Sequence, residues 1–600
     1  MQQTYPDIAE INEPPRPGEV VLQQTEPSGA VCWWRYRSPR AVIRATRVSE
    51  VVEALAAVER EVARGYSAAG FLAYEAAPAF DHVLVTHAPG ALPLLWFGIY
   101  ERGERLGPLP LPAGGGTPLT WIPSIAEDDY RAAIRQIKDY IAAGDTYQVN
   151  YTLRLQAPFA GDPWALFLAL TRAQRGRVGA YVDLGDHVLC SASPELFFRL
   201  EGTHIACSPM KGTVARGLTA EEDQERARWL AGSGKNRAEN VIIVDMMRSD
   251  LGRIARPGSV EVARLFAVEQ YATLYQLVST VTAQTEASLS DILAALYPCA
   301  SITGAPKVRT MQIIREQETT PRGIYTGCIG SILPGRRAQF NVAIRTVHVN
   351  RSAGQAEYGT GGGIVWDSSA ESEYAESQTK ALVLLASRPP FSLLETLRWR
   401  PGAGYNLLDY HLRRLAASAR YFSYVVDPEE ITQRLEALED TFPPTGDQRV
   451  RLLLAENGKI TLEAFPLTLN AAQRWRVALA KEPIDPADPF LYHKTTNRQV
   501  YETARAAHPG LDDVILWNPR GEATESTIAN LVIRRGDRFV TPPVSCGLLP
   551  GTYRAALLEA GDILEEVITL DDLLQSDAAY LINSVRGWIP LACIIHNNFE

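Results

Sequence analysis

KNRAENVIIVDMMRSDLGR, residues 235–253, decides the fold of the longer part of the chain together with EYAESQTKA, residues 373–381. Both stretches carry apolar residues at helical spacing, and they predict helices over 236–251 and 368–387. Each predicted helix places carboxylates beside an apolar face. The two helices are therefore candidates for the walls of a site.

The second helix is predicted to begin at Ser368, which stands three residues before Glu371 in the spacing of a capping box. Farther along, Glu376 and Lys380 share one face. An exposed ion pair between these two side chains is the interpretation that this helix alone favours. The alternative is a metal site, because Glu376 and Glu239, on two different helices, could together hold Mg²⁺, which prefers oxygen ligands.

Runs of β-branched residues separate the predicted helices. The run at 178–200 predicts paired strands with a Gly-Asp turn, and the run at 327–349 predicts a hairpin that turns at Pro334 and Gly335. Helical and strand patterns alternate in both halves of the sequence. The chain is therefore predicted to be of the α/β (α+β) class.

The chain has 600 residues, and a prior of roughly 150 residues per domain predicts two to four folding units. Pro389 and Pro390 follow a helical pattern and cannot continue it, so we expect a boundary there between domains 1–387 and 388–600. The Pro/Gly-rich stretch at 108–118 is predicted to be a surface loop within the first domain.

Composition excludes several classes of protein. Lys and Arg number 59 against 69 Asp and Glu, a net charge of −10, and the absence of a basic stripe excludes an electrostatic nucleic-acid footprint. No window approaches the roughly 18 apolar residues of a membrane span. The N-terminal sequence lacks the pattern of a secretory signal, and the seven cysteines form no CxxC pair. We therefore expect a cytoplasmic location.

Two glycine-rich segments resemble nucleotide-binding loops, but both lack required residues. GTGGGIV at 359–365 has Ile364 where the third glycine belongs, and GSGKN at 232–236 lacks the first glycine and the final Ser or Thr. Backbone N–H groups of GTGGG and of SITGAP at 301–306 could instead cradle a carboxylate. Lys211 in CSPMKGT is either a solvated surface residue or a nucleophile that loses its proton through desolvation.

The last third of the chain carries a second set of candidate residues. Lys494 lies among Thr and Asn in HKTTNR, and Glu525 lies in TEST ahead of an apolar strand. LLPGTYRAALLE brings Gly551 and Thr552 either to an ordinary helix start or to a helix N-terminus that binds phosphate. A lysine, a carboxylate and an anion cradle are together what pyridoxal 5′-phosphate requires.

Residues of roughly 1 to 387 resemble the chorismate-utilising enzymes, in the branch of aminodeoxychorismate synthase component I. The resemblance implies an antiparallel β-sandwich flanked by helices, with chorismate, ammonia and Mg²⁺ as substrates and cofactor. It rests on eight motifs that follow one another in order: GDTYQVNYT (144–152), SASPELFF (191–198), SPMKGT (208–213), KNRAENVIIVDMMRSDLGR (235–253), SITGAPK (301–307), AIRT (343–346), YGTGGGIVWDS (358–368) and EYAESQTKA (373–381).

This resemblance implies roles for individual residues. Glu239 and Glu376 would hold Mg²⁺, Glu195 would protonate the departing C4 hydroxyl of chorismate, and Lys211 would attack C2. The implied substrate-binding residues are Gln148, Thr303, Gly304, Lys307, Tyr325, Arg345, Gly361, Gly362, Gly363 and Lys380.

Two positions separate branches of this family. Anthranilate-forming relatives carry alanine in place of Lys211, and water-using relatives usually carry a lysine base in place of Gln148. Both residues therefore favour amination at C4, since ammonia needs no base to become a nucleophile. Gln276 stands where many relatives have a histidine, and its role stays open.

Residues of roughly 391 to 600 resemble the class IV aminotransferase-like fold, in the branch of 4-amino-4-deoxychorismate lyase. The motifs are LLDYHLRRLAASA, YHKTTNR, EATESTIANLVI, GLLPGTYR and INSVRGWIPL. The resemblance implies that Lys494 bonds pyridoxal 5′-phosphate and moves the substrate proton, and that Glu525 pairs with the pyridine nitrogen. The implied phosphate-binding residues are Arg414, Gly551, Thr552 and Ser584.

The two resemblances imply synthesis of 4-aminobenzoate, a folate precursor, from chorismate. No cysteine lies in a GxCxG-type elbow, so we expect a separate glutamine amidotransferase subunit to supply ammonia. Relatives of the second domain suggest a homodimer. One alternative is an anthranilate synthase component I-like domain fused to a branched-chain or D-amino-acid aminotransferase-like domain. Another is that one domain is non-catalytic and serves as a docking module.

Overall fold

The structure is a computed structural model that describes residues 13–26, 29–110, 119–174, 176–381, 384, 390–470 and 473–595. The chain divides into two compact units, one formed by residues 1–216 and 227–388 and the other by residues 217–226 and 389–600. The domain boundary predicted at 387 and 388 lies outside the described residues, as do positions 111–118 of the predicted surface loop.

The strands up to residue 364 all pair antiparallel. They are β1 Val20–Thr25, β2 Val31–Tyr36, β3 Ala41–Ala45, β4 Ser67–Leu72, β5 Leu95–Tyr100, β6 Glu104–Leu106, β7 Ile122–Pro123, β8 Gln148–Pro158, β9 Ala180–Asp183, β10 His187–Ser191, β11 Leu196–Glu201, β12 His204–Ser208, β13 Met210–Ala215, β14 Glu261–Gln270, β15 Leu274–Gln284, β16 Gly304–Ala305, β17 Cys328–Leu333, β18 Arg337–Val342, β19 Thr346–Asn350 and β20 Gln355–Ile364.

Helices lie between these strands. They are α1 Val51–Ala63, α2 Glu127–Ala142, α3 Pro163–Gln174, α4 Ala220–Gly232, α5 Gly234–Gly252, α6 Leu289–Leu296, α7 Lys307–Gln317 and α8 Ala370–Ala381. None of the helices in the described residues is both long and apolar enough to cross a membrane.

The strands form two sheets, ordered β16-β8-β20-β19-β10-β9-β1-β2-β6 with β7 beside β8, and β13-β15-β12-β11-β18-β17-β4-β5-β3 with β14 beside β15. Val20 and Leu22 of the first sheet share a buried cluster with Phe71 and Ile329 of the second. The sheets therefore pack face to face, as strands with one apolar face do. This confirms the predicted antiparallel sandwich flanked by helices.

The local predictions are largely confirmed. β9 pairs with β10 across the Gly-Asp turn, and β17 pairs with β18 across Pro334 and Gly335. The predicted start of α8 at Ser368 is wrong. Ser369 supplies the capping hydroxyl, which accepts from the backbone N–H of Ser372 at 3.1 Å. Ser368 instead donates to Glu373 at 2.6 Å, because its hydroxyl is turned toward the buried side of the helix.

The second unit contains two further sheets. Its strands are β21 Leu393–Arg400, β22 Gly404–Tyr405, β23 Asp447–Leu454, β24 Ile460–Leu467, β25 Trp475–Leu479, β26 Asp513–Trp517, β27 Ala523–Ser526, β28 Asn530–Arg535, β29 Arg538–Thr541, β30 Leu564–Glu565, β31 Ala578–Asn583 and β32 Gly587–Ile595, and its helices are α9 Leu408–Phe422, α10 Pro428–Glu439, α11 Gln499–Ala506, α12 Thr552–Ala560 and α13 Leu570–Leu574. The sheet orders are β22-β21-β23-β24 and β27-β26-β25-β32-β31-β28-β29-β30.

Candidate functional site

The first unit holds a cavity of about 320 Å³ whose walls include β13, β20, α5 and α8. On α5, Val244, Met247 and Leu251 belong to the buried core. This apolar stripe fixes the rotation of the helix and leaves Glu239, five residues before Val244, on the cavity wall. The predicted acidic helices α5 and α8 therefore do line one site.

Lys211 is the second residue of β13 and is half-buried in this cavity. An added Cβ at Gly363 would lie 2.1 Å from its Nζ, so only glycine there leaves room for the amine. The side chain of Asn240 donates to the Lys211 carbonyl at 3.2 Å, which fixes the strand. Burial lowers the pKa of Lys211, Glu239 opposes that effect, and Lys380 adds to it. The environment is that of a lysine able to act as a nucleophile.

Glu195 lies between β10 and β11 and is only 3% exposed. Its carboxylate accepts a hydrogen bond of 2.6 Å from the hydroxyl of Ser301. Burial raises the pKa of Glu195 to about 7, although Ser301 and the charge of Lys211 both act to lower it. A carboxyl group with this pKa holds a proton near neutral pH and can donate it.

The ion pair expected from the α8 sequence forms, and it also lines the cavity. Nζ of Lys380 lies 2.7 Å from Glu376 and donates to the Gly361 carbonyl at 2.8 Å. Lys380 lowers the pKa of Glu376, so that carboxylate stays charged. The pair therefore joins α8 to the glycine-rich strand β20.

Arg345 and Tyr325 also line the first cavity. Arg345 has φ 52°, a left-handed conformation that non-glycine residues rarely adopt, and its guanidinium donates to the Lys380 carbonyl. The guanidinium of Arg154 lies 5.2 Å from the ring centre of Tyr325. These contacts hold the side chains of Arg345 and Tyr325 in place.

Lys307, which was predicted to bind the substrate, is not part of the lining of the first cavity. Its ammonium binds Asp250 at 2.9 Å and the Leu296 carbonyl at 3.4 Å. Thr303 donates to the Cys299 carbonyl at 3.1 Å, so it also turns away. The structure therefore does not bring Lys307 or Thr303 to the cavity.

Gln148 and Gly304 are not among the residues that line the cavity; they lie on the paired strands β8 and β16, where Gln148 is opposite Ala305 and Gly304 is opposite Val149. Gln148 is fully buried, and neither atom of its amide has a hydrogen-bond partner among the residues that the structure describes. Its amide nitrogen would lie 3.1 Å from an added Cβ at Gly363. This amide is therefore near the amine of Lys211, while Gly304 contributes only to the sheet.

Besides Glu195, three glutamates line the cavity, Glu239, Glu373 and Glu376. Within the described ranges, no group of three or more His, Cys, Asp or Glu side chains is arranged to hold a metal ion. Oxygen donors of this kind suit Mg²⁺, which needs only one or two protein carboxylates and keeps its waters. Glu373 was not predicted as a site residue, although it lies on the same face of α8 as Glu376.

A second cavity, of about 260 Å³, lies in the second unit. Lys494 lines it, and its backbone carbonyl accepts from the N–H of Leu394 at 3.0 Å, which ties it to β21. Burial and the guanidinium groups of Arg414 and Arg498 together lower the pKa of Lys494 to about 8, although Glu395 and Glu525 oppose them. The amine is therefore partly neutral near physiological pH.

Glu525 on β27 also lines the second cavity and is 4% exposed. Its carboxylate accepts from the Tyr501 hydroxyl at 2.8 Å, from the Leu549 backbone N–H at 3.1 Å and from the Asn530 amide at 3.2 Å. Burial raises the pKa of Glu525 to about 7, and the first two of these donors act against that rise. Sequence reasoning missed Tyr501, which follows Lys494 without any recognisable motif.

The N-terminus of α12, which the sequence offered as a phosphate-binding element, lies at one end of this cavity with Gly551 and Thr552 in the lining. An added Cβ at Gly551 would lie 1.9 Å from the side-chain oxygen of Asn530, so the loop approaches too closely for any other residue. Arg414, Thr552 and Ser584 line the same end. Free N–H groups, a guanidinium and two hydroxyls suit a phosphate.

Two family models match two consecutive stretches of the chain. The family described as chorismate binding enzyme matches residues 23–386, and the family described as amino-transferase class IV matches residues 392–594. Aminodeoxychorismate synthase component 1 of Salmonella typhimurium is 44% identical over 262 residues, which is 43% of this chain and 57% of that protein. The chain thus spans little more than half the length of this relative.

Two further relatives extend the comparison. Anthranilate synthase component 1 of Thermus thermophilus is 37% identical over 329 residues, 52% of this chain and 70% of that protein. The crystal structure of anthranilate synthase component I from Streptococcus pneumoniae covers 59% of this chain and 92% of its own, with a TM-score of 0.52 at 24% identity. That likeness concerns the fold of the first unit.

Proposed function

The chain belongs to the family of chorismate binding enzymes, and from this premise we propose that it makes 4-aminobenzoate from chorismate in two steps. The first unit would exchange the C4 hydroxyl of chorismate for an amino group, and the class IV aminotransferase domain would eliminate pyruvate from the product. The observation that carries the proposal is that one cavity contains both the amine of Lys211 and the buried carboxyl of Glu195, whose pKa burial raises to about 7.

In the proposed first step, Glu195 gives its proton to the C4 hydroxyl, which leaves as water while the neutral amine of Lys211 bonds to C2. Ammonia then bonds to C4 and loses a proton, the two ring double bonds shift back, and the bond between C2 and Lys211 breaks with its electron pair leaving on the lysine nitrogen. The net change is one hydroxyl for one amino group. Arg345, Lys380 and the backbone of Gly361–Gly363 would receive the carboxylates, while Lys307 has no part because it is paired with Asp250.

Mg²⁺ fits the first cavity on the chemistry of its donors. Glu239 and Glu376 both line the cavity and supply carboxylate oxygens, and Glu376 keeps its charge because Lys380 lowers its pKa. These two residues would hold the ion against a carboxylate of the substrate. A divalent cation there would offset the repulsion between two acidic side chains and an anionic ligand.

Pyridoxal 5′-phosphate fits the second cavity. The observation that tests the fit is the close approach of Gly551 to Asn530, which leaves the α12 N-terminus open beside Arg414, Thr552 and Ser584. When bound, this group supplies an electron sink for elimination next to its ring. Lys494 would bond it and then move the proton at C4 of the substrate, and Glu525 would hold the proton of the ring nitrogen.

The ammonia is proposed to come from a separate glutamine amidotransferase, since the relatives are components of a synthase. Free ammonium would then replace that partner in vitro. We place the reactions in the cytoplasm, where thiols stay reduced, because the cysteines in the described ranges are free.

Product analysis tests the proposal directly. The purified chain is incubated with chorismate, ammonium, Mg²⁺ and pyridoxal 5′-phosphate, and the aromatic product and pyruvate are measured by chromatography. We expect equal amounts of 4-aminobenzoate and pyruvate. Anthranilate as the product would favour the alternative in which the first unit is an anthranilate synthase, and a need for a keto acid would indicate a true aminotransferase.

A further inference from the structure

A buried Glu–His pair lies directly behind the anion-binding end of the second cavity. His411 on α9 is 1% exposed and Glu395 on β21 is 2% exposed. Nδ1 of His411 lies 2.6 Å from the Glu395 carboxylate. Its Nε2 lies 3.0 Å from the Ser584 hydroxyl and 3.3 Å from the Thr552 hydroxyl. The imidazole thus connects a buried carboxylate to the two hydroxyls proposed to bind phosphate.

The number of hydrogens in this network limits what it can bind. Burial opposes the ionisation of Glu395, but Arg414 and His411 outweigh it and lower the pKa of Glu395 to about 2. The carboxylate therefore accepts the Nδ1–H of His411. With neutral His411, Nε2 must accept from Ser584 or Thr552, and a hydroxyl that donates there has no second hydrogen for a phosphate.

The charges around His411 favour the neutral ring while the site holds no anion. Burial lowers the pKa of His411, Glu395 opposes this, and Arg414 and Lys494 lower it further. A phosphate dianion would reverse this balance, because it adds negative charge beside the imidazole. The titratable, charged and hydroxyl groups that face His411 from the elements around it are Glu395, Arg414, Lys494, Thr552 and Ser584.

We propose that binding of a phosphate ester in the second cavity transfers one proton from solvent to Nε2 of His411. A new N–H bond forms at Nε2, and this N–H group donates a hydrogen bond to the Ser584 oxygen. The hydrogens of both hydroxyls then turn to the phosphate, and Glu395 stays ionised throughout. His411 and Glu395 are positioning residues, and this inference rests on the proposed use of a phosphorylated pyridine cofactor.

Isothermal titration calorimetry of the full chain tests the proton uptake. Pyridoxine 5′-phosphate is the probe, since it has no aldehyde to bond Lys494, and pyridoxine without phosphate is the control for protons taken up at the ring. Titrations at pH 8 in buffers of different ionisation enthalpy give the number of protons bound. We expect the phosphorylated probe to take up about one proton more than pyridoxine, because its phosphate is already a dianion at this pH.

His411→Gln identifies the group that takes the proton, since an amide can contact the hydroxyls but cannot be protonated at this pH. We expect it to lose the extra proton and to weaken the phosphorylated probe about tenfold, with pyridoxine binding unchanged. His348→Gln, at a histidine in the first unit, is the matched control and should keep the uptake.

Three results would overturn the inference. The first, equal uptake for both probes by the unaltered chain, requires no variant and so does not depend on how a variant folds. The second is the same extra uptake in His411→Gln, whose fold circular dichroism verifies. The third is that neither probe binds, which would contradict the proposed cofactor as well and is thereby distinguished from failure of the proton transfer alone.

Discussion

The two cavities both contain a lysine that is proposed to react as the neutral amine, but the largest charge effect on the pKa comes from a glutamate for Lys211 and from an arginine for Lys494. Around Lys211, burial acts against three glutamates that favour the ammonium form, Glu239, Glu376 and Glu373. Around Lys494, burial acts together with Arg414 and Arg498, and its pKa is about 8. Desolvation is thus the shared cause, and the neighbouring charges differ.

This difference matches what each lysine is proposed to meet. A dicarboxylate substrate and a divalent cation would occupy the first cavity, and Glu239 and Glu376 would provide ligands for the cation at the expense of a more basic amine. A phosphate would occupy the second cavity, so its arginines serve the anion and also favour the neutral amine. In each cavity the charged residues therefore match the proposed ligand, and their effect on the pKa of the lysine is a consequence of that match.

The largest expected effect is that of replacing each of the two lysines by alanine. Lys211→Ala should lower amination of chorismate by about 10⁴-fold or more, because the nucleophile is gone. It should leave pyruvate release from supplied 4-amino-4-deoxychorismate unchanged. Lys494→Ala should do the reverse, with amination intact and pyruvate release lost. Both are measured by chromatography of the two products.

The matched pair controls for misfolding, since each variant keeps the activity of the other unit. Loss of both activities in Lys211→Ala would instead mean that the two units depend on one another. Unchanged amination in that variant would contradict the covalent role of Lys211.

The next largest effect concerns the proton donor of the first cavity. Glu195→Gln should lower amination by roughly 10²- to 10⁴-fold, the usual contribution of a general acid. In the unaltered chain, Glu195 is proposed to act in its protonated form, and burial raises its pKa to about 7. Amination should therefore fall as pH rises through about 7, and this alkaline limb should be absent in Glu195→Gln. A flat profile in the unaltered chain would contradict the role of Glu195.

The sequence predicted the elements and most of the first cavity because the motifs fall where strands and helices begin or end. Glycine at 361–363 and the acidic faces of α5 and α8 follow from residue type and periodicity, which are local properties. Lys307 shows the limit. A lysine after SITGAP can turn to either side of its helix, and the partner that decides, Asp250, is distant in sequence.

Ser301, Tyr501 and His411 show a second limit. Each acts through a hydrogen bond to a carboxylate distant in sequence, with Ser301 on Glu195, Tyr501 on Glu525 and His411 on Glu395. No local pattern marks such a donor, because the contact exists only after the chain has folded. Only Glu395, a carboxylate within the apolar strand FSLLETL, offers a signal in the sequence.

A moderate effect is expected at the carboxylate of the second cavity. Glu525→Gln should lower pyruvate release roughly 10- to 100-fold, the loss of one charge-assisted hydrogen bond to the ring nitrogen. It should also shift the absorbance of the bound cofactor. Amination in the first unit is the internal control, and an unchanged absorbance would contradict the pairing of Glu525 with the ring.

The smallest effect is the sharpest test of the comparison, because one kind of substitution should act in opposite directions at the two sites. Ser301→Ala and Tyr501→Phe each remove a hydroxyl that lowers the pKa of a glutamate near 7, so the pKa of Glu195 and that of Glu525 should both rise. Because Glu195 is proposed to act in its protonated form, the alkaline limb of amination should move to higher pH. Because Glu525 is proposed to act in its ionised form, the acid limb of pyruvate release should also move to higher pH. At pH 7 the first variant should therefore gain and the second lose, each by roughly two- to fivefold, and shifts of the two limbs in opposite directions would contradict the assigned protonation states.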